Sequence, residues 1–348
     1  MMPLILAIFL FTLGLGTTIT FMSCHWVLAW IGLEINTLAI LPLIARHSHP
    51  RAVEATTKYF IAQATAATML LFAGMSSAWL TGLWEIPLTA HPVPVTLATL
   101  AIALKIGLAP MHSWLPEVLQ GTDFTTGLIL STWQKLAPIA LLLQFQPTNS
   151  SLLIALGISS IMIGGWGGIN QTQTRKILAY SSIAHLGWMT LVLQFSPSLA
   201  MLSLIIYFNT AAAAFLLFKM FKSTTINLLA IIRTKGPTIT ALGPLVLLSL
   251  AGLPPLTGFL AKWFILHELT KQDLSSLATL AGVSALLSLF FYMRLAFAMI
   301  LTNPPDNFTG MIVWRNSTFN MTLCLSFTTV GSLILIPLAP AIAVMLSM

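Results

Sequence analysis

Gly107-Leu108-Ala109-Pro110-Met111-His112-Ser113-Trp114-Leu115 interrupts one apolar run of this 348-residue sequence, and Gly252-Leu253-Pro254-Pro255-Leu256-Thr257-Gly258-Phe259-Leu260 interrupts another. Both read Gly-Leu-x-Pro and then an aromatic-Leu pair, at an offset of 145 residues, from 107 to 252. Proline lacks a backbone donor and clashes with the preceding turn, so each helix is expected to break here and to leave carbonyls and amides unbonded. Lipid cannot satisfy such groups. They are tolerated at membrane depth only where protein or a hydrated cavity surrounds them, and a matched pair of interrupted segments points to a transport site. The plainer alternative is that Pro-Gly kinks are common in membrane helices and that the match is short.

The sequence around the breaks supports a lipid solvent. Charged residues make up 7% of the chain, hydrophobic ones 57%, and the mean hydropathy is +0.93. Soluble domains carry about a quarter charged residues. Apolar runs suggest eleven transmembrane helices, near 3–22, 25–45, 56–81, 95–110, 124–145, 150–169, 176–195, 198–220, 238–268, 275–301 and 321–346. The expected fold is therefore an all-α polytopic membrane protein forming a single transmembrane domain. Residues 1–147 make a first five-helix repeat and 148–302 a second of inverted orientation, each with one broken helix; 303–348 supply a loop and the C-terminal helix.

Loops after even-numbered helices hold Arg46, Arg51, Lys58, Arg175, Lys176, Lys219, Lys222, Arg233, Lys235 and Arg315, whereas the others hold only Lys271. The positive-inside rule then places the N-terminus and the basic loops on the negative side of the membrane and the C-terminus opposite. The net charge of +7 is thus an orientation signal spread over short loops, not a nucleic-acid-binding patch. No cleavable address is evident at the N-terminus. Cys24 and Cys324 stand apart without ligand spacing and read as buried apolar thiols. The sequons at Asn149, Asn170, Asn307, Asn316 and Asn320 fall on both sides of this topology and read as chance matches.

Charges inside the spans are the candidate functional residues. Lys105, Lys135, Lys262, Arg294 and Glu34 all fall within predicted helices. Each unpaired basic group costs roughly 2.5–3.5 kcal/mol at mid-bilayer on insertion scales. Arg294 is near a helix end and is expected to snorkel as an anchor. Glu34 follows Trp30 by four residues and Trp26 by eight, on one helix face, and must take a proton or find a cation. Lys105 shares a face with Ala98 and Ala101, which permit close helix approach. Lys135 follows Ser131 and Thr132 and precedes Pro138, which suggests a polar pocket beside a further helix disruption. Lys262 follows the second break. Desolvated lysines exchange protons readily. His112 at the first break and His185, one turn after Ser181 and Ser182, extend the set, since imidazole passes protons between its nitrogens; taken singly, each also suits a structural hydrogen bond. Together these groups suit a water-linked proton path. His267 and Glu268 fall at a helix end, and His47 and His49 in a basic loop.

Gly164-Gly165-Trp166-Gly167-Gly168 ends an apolar helix and reads as close helix packing, not nucleotide binding. No signature for flavin, haem, cluster or metal is evident.

Four stretches carry a family resemblance: Lys105 to Pro116 (KIGLAPMHSWLP), Ser131 to Pro138 (STWQKLAP), Arg175 to Trp188 (RKILAYSSIAHLGW) and Gly252 to Trp263 (GLPPLTGFLAKW). Through them the whole chain resembles the subunit 2 family of mitochondrial NADH–ubiquinone oxidoreductase, respiratory complex I, in its vertebrate form. The resemblance implies an antiporter-like chain of the membrane arm, embedded in the inner membrane with its N-terminus in the matrix and its C-terminus in the intermembrane space. It implies a coupled glutamate–lysine pair at Glu34 and Lys105, a central lysine at Lys135 and a lysine on the second broken helix at Lys262. Proton translocation would be driven by NADH oxidation and ubiquinone reduction elsewhere in the complex.

This chain itself would hold no cofactor; NADH, flavin, iron–sulfur clusters and ubiquinone belong to other parts. Expected partners are other membrane-arm subunits, including a neighbouring antiporter-like chain and a small membrane chain, together with phospholipid. Fuller family members have fourteen core helices against eleven here, as in animal forms that lack three N-terminal ones. The stretch Glu117-Val118-Leu119-Gln120-Gly121-Thr122-Asp123 departs from them, so no role is carried over to Glu117 or Asp123. An assembly scaffold of the membrane arm and a free-standing cation/proton antiporter are the alternative readings.

Overall fold

The computed structural model describes residues 3–46, 49–86, 91–145, 150–230, 237–301, 322–335, 337 and 340–341. His47, Arg233, Lys235, Arg315 and the sequons at Asn149, Asn307, Asn316 and Asn320 lie outside them. Among the described residues every regular element is a helix: α1 (Pro3–Met22), α2 (Trp26–Ile44), α3 (Pro50–Thr81), α4 (Pro92–Ile106), α5 (Trp114–Gly121), α6 (Phe124–Ser131), α7 (Trp133–Phe145), α8 (Ser150–Ile169), α9 (Thr174–Val192), α10 (Pro197–Phe221), α11 (Ile226–Ala230), α12 (Pro237–Ala251), α13 (Thr257–Lys271), α14 (Ser275–Ile300) and α15 (Thr322–Ile334). Among the described residues, seven stretches are long and apolar enough to cross a membrane alone, counting α6 and α7 together as Phe124–Phe145. Of the remaining expected spans, that near 95–110 is shorter, that near 238–268 is divided and that near 176–195 is charged at one end, while residues 321, 336, 338–339 and 342–346 of the span near 321–346 lie outside the described residues. The run near 238–268 is split into α12 and α13 by its break, and α9 opens with Arg175 and Lys176.

Helix ends follow local chemistry. At α3, His49 Nδ1 accepts the Arg51 amide, Pro50 starts the helix, and Gly82 ends it with φ 73°. Its 32 residues measure about 48 Å, against a hydrocarbon thickness of about 30 Å, so its N-terminal turns extend past the lipid. Arg51, Glu54 and Lys58 occupy those turns, and Lys58 Nζ reaches Glu117 of α5 at 2.7 Å in an exposed ion pair. Apolar side chains line the outside: Trp79 is 90% exposed, and Phe72, Trp166 and Phe327 are exposed as well, as expected of surfaces that meet lipid or another chain. Cys24 and Cys324 also belong to this surface, which corrects the expectation of buried thiols. In a membrane protein, apolar character does not imply an interior position.

The chain divides into two compact units, Met1–Ser159 and Ser160–Met348. In the first, α1 packs on α2 and α7, and α3 packs on α2, α4 and α5. In the second, α10 packs on α9, α12, α13 and α15, and α14 packs on α12. Each unit contains the same loop pairing. In the first, Trp26 N–H donates to Trp84 O at 3.0 Å and Ile86 N–H to Cys24 O at 2.9 Å. In the second, Thr174 N–H donates to Thr224 O and Ile226 N–H to Thr172 O, both at 3.1 Å. The start of one helix is thereby tied to the segment that follows the next helix.

The glycine-rich end of α8 packs as expected. A Cβ on Gly164 would lie 2.7 Å from Ala184 N, and one on Gly168 2.7 Å from the Phe291 ring. Arg294 is exposed on α14 and donates to Ile169 O at 3.0 Å.

Candidate functional site

α4 ends at Gly107, whose φ of 86° lies in the left-handed region that favours glycine. The Gly107 and Leu108 amides both donate to Ala103 O at 2.9 Å, and the chain turns through residues 108–113 before α5 begins. The carbonyls released by this break are recovered by side chains. Trp114 Nε1 donates to Leu104 O at 3.1 Å, Gln63 Nε2 on α3 to Lys105 O at 3.3 Å, and Ser159 Oγ to Ala109 O at 3.1 Å. His112 is half-buried, with Nδ1 3.2 Å from Pro110 O. It remains beside the break.

Lys105 and Lys135 share one small cavity, lined also by Asn36, Tyr59, Gln63, Trp114 and Gln134. Its volume, as space open to the centre of a water molecule, is about 10 Å³. Lys105 is 5% exposed and Lys135 2%. Lys105 Nζ is buried without a hydrogen-bond partner, and so is Glu34 Oε2 on α2. The Glu34 carboxylate is nonetheless close enough to act electrostatically on Lys105 and on the Tyr59 hydroxyl. The first unit therefore brings Lys105 and Lys135 to one cavity and places Glu34 within electrostatic reach of Lys105. The helix disruption near Lys135 falls at Thr132, between α6 and α7, while Pro138 lies inside α7.

The second unit repeats the break with a different side-chain arrangement. Gly252 has φ 79°, and its amide and that of Leu253 both donate to Leu248 O. Gly258 is pressed against the Ser249 carbonyl, leaving no room for a Cβ. Lys262 Nζ turns back from α13 to donate to Ala251 O at 2.8 Å, with the centre of the Trp188 ring 5.9 Å away. His185, one turn before Trp188 on α9, lies against Tyr207 with ring centres 5.2 Å apart.

Asn36, Tyr59, Gln63 and Gln134 were not singled out from the sequence. A scan for charges and histidines passes over neutral amides, although an amide in an apolar span such as Trp26–Ile44 also needs partners. Among the described residues, no three His, Cys, Asp or Glu side chains gather as a metal site.

Residues 23–288 match the NADH:quinone oxidoreductase/Mrp antiporter transmembrane family, and residues 289–343 match the C-terminus of NADH dehydrogenase subunit 2. NADH-ubiquinone oxidoreductase chain 2 of Tetraodon nigroviridis is 63% identical over 342 residues, covering 98% of each chain. That of Salmo salar is 61% identical over 349 residues, covering all of both. Among solved structures, a chain of respiratory complex I from Thermus thermophilus superposes with a TM-score of 0.83 at 24% identity, over 97% of this chain and 80% of that one. A chain of the archaeal membrane-bound sulfane sulfur reductase gives 0.84 at 18% identity, over 98% and 75%. These two likenesses extend the shared fold to distant assemblies. With its buried lysines, its broken helices and close relatives that match along the full length, the chain belongs to the NADH:quinone oxidoreductase/Mrp antiporter membrane family, among the NADH-ubiquinone oxidoreductase chain 2 proteins.

Proposed function

We propose that this chain translocates protons as a membrane-arm subunit of NADH–ubiquinone oxidoreductase, from the matrix to the intermembrane space, coupled to redox chemistry in other subunits. The observation that carries this reading is the cavity shared by Lys105 and Lys135 beside Glu34: two lysines withdrawn from water, one without a hydrogen bond, beside a carboxylate. Such groups change protonation in response to a nearby charge. In the second unit, Lys262 and His185 supply the corresponding titratable groups. The matching breaks and the matching loop bonds support two repeats, and the basic loops support a matrix-side N-terminus. NADH, flavin, iron–sulfur clusters and ubiquinone act elsewhere in the complex, and neighbouring antiporter-like and small membrane chains flank this one together with phospholipid.

Lys135→Met in the assembled complex tests the reading. Protons moved per electron transferred are expected to fall, and full pumping at normal stoichiometry overturns a relay role. The second reading, a scaffold role, has its support at Lys262, whose ammonium holds the Ala251 carbonyl. A purely scaffolding Lys262 predicts that Lys262→Met lowers the amount of complex without changing activity per complex, whereas a relay role lowers pumping per complex as well.

A further inference from the structure

Asn36 sits on α2 two residues after Glu34 and is 2% exposed, yet neither its Oδ1 nor its Nδ2 has a hydrogen-bond partner in the protein. An amide can give two hydrogen bonds and accept two, and a buried one that makes none is strongly disfavoured. The side chain is confined. A Cβ on Gly16 of α1 would meet Oδ1 and come within 2.8 Å of Cγ, so α1 closes one side. Gln134 Nε2 donates to the Asn36 carbonyl at 3.2 Å and ties that turn of α2 to α7. The cavity is the space left, and Asn36 lines it together with Lys105 and Lys135.

Lys105 Nζ faces the complementary difficulty, for an ammonium only donates and this one has no acceptor. Asn36 lines the same cavity with both its acceptor and its donor unused, and the two head groups do not bond directly. A water molecule resolves both, because it accepts from the ammonium and bonds the amide, either donating to its oxygen or accepting from its nitrogen. The volume of about 10 Å³ is of the size one water needs, and its wall provides the polar partners that hold a buried water in place. We infer that Asn36 is a positioning residue for a bound water in this cavity, through which Lys105 exchanges its proton. This deepens the translocation reading and rests on it for the proton's role, though not for the water's presence. A neutral amide suits the task, since it holds the water whether or not Lys105 is charged, whereas a second carboxylate would pair with the ammonium and retain the proton.

The test uses the assembled complex. A high-resolution map of the wild type is expected to show density between Asn36 and Lys105, and Asn36→Leu should remove it. The same variant should slow pumping about tenfold at equal complex content and displace its pH profile. Asn36→Ser, which keeps a hydroxyl, should recover much of that rate. A wild-type map that resolves other buried waters of the chain but none here overturns the inference, and so does an Asn36→Leu complex with wild-type rate and pH profile. If Asn36→Leu does not assemble, the wild-type map decides alone. Normal pumping in Lys135→Met with the water in place would sink the translocation reading and leave the water site standing.

Discussion

The two helix breaks share a backbone and differ in what completes it. At Gly107 the carbonyl released in the last turn of α4 is taken by a neutral indole, Trp114, and Lys105 points into a cavity without a hydrogen bond. At Gly252 the carbonyl at the end of α12 is taken by an ammonium, Lys262. One charge is free of the backbone and the other is used by it. A lysine that neutralises the negative end of a half-helix contributes to stability while it stays protonated. One that bonds to nothing costs stability, and no backbone bond holds it in place. The same local device can therefore hold a charge in place or leave it ready to move.

The most damaging change should be made where backbone meets backbone. Gly258→Ala drives a Cβ into the Ser249 carbonyl, and no side chain can give way, so little or no assembled complex is expected in native gels. Gly107→Ala meets Leu115 and Trp114 side-chain atoms at 3.0 and 3.3 Å and pays mainly for its left-handed backbone, about 1–2 kcal/mol. Complex should form and melt earlier. Equal loss at both sites would remove the contrast between the two breaks.

Exchanging each lysine for methionine sharpens it further. Lys262→Met removes a hydrogen bond to a charged group, which contributes about 1.5–3 kcal/mol, and should lower both the melting temperature of the complex and its pumping. Lys105→Met deletes an unsatisfied ammonium but leaves the Glu34 carboxylate without its nearby cation, and should reduce pumping with a smaller fall in melting than Lys262→Met. Reversal of the two melting shifts would refute the assignment of a structural charge to the second break. The smallest effect is expected from Trp114→Phe. It keeps the ring but frees Leu104 O, at about 1 kcal/mol, and should shift melting modestly with pumping near normal.

Much of the site was legible because burying charge in lipid is costly wherever it occurs. Glu34, Lys105, Lys135 and Lys262 announce themselves against an apolar background, and Gly-Leu-x-Pro announces the breaks. Cys24 and Cys324 were misplaced because burial was inferred from apolar character, a rule that holds in water and not in lipid. The Thr132 disruption was attributed to Pro138, six residues on, since proline is visible in a sequence and an unwound threonine is not. Asn36 escaped notice because one amide in an apolar helix looks harmless until its partners are sought.

Composition, proline and glycine spacing, and the placement of charge determine by themselves that this chain lies in a membrane, where its helices break and which residues are too costly there to be idle. These are consequences of a few neighbouring residues and their solvent. Which charge is satisfied is a matter of long-range packing. Lys262 finds a carbonyl eleven positions back, Lys105 finds none for its ammonium while its own carbonyl is held by Gln63, and Asn36 is enclosed by a glycine of the preceding helix. Such partners come from elements far apart in sequence, and only their packing decides that a lysine and an amide face one cavity with nothing in the protein between them to complete their hydrogen bonds.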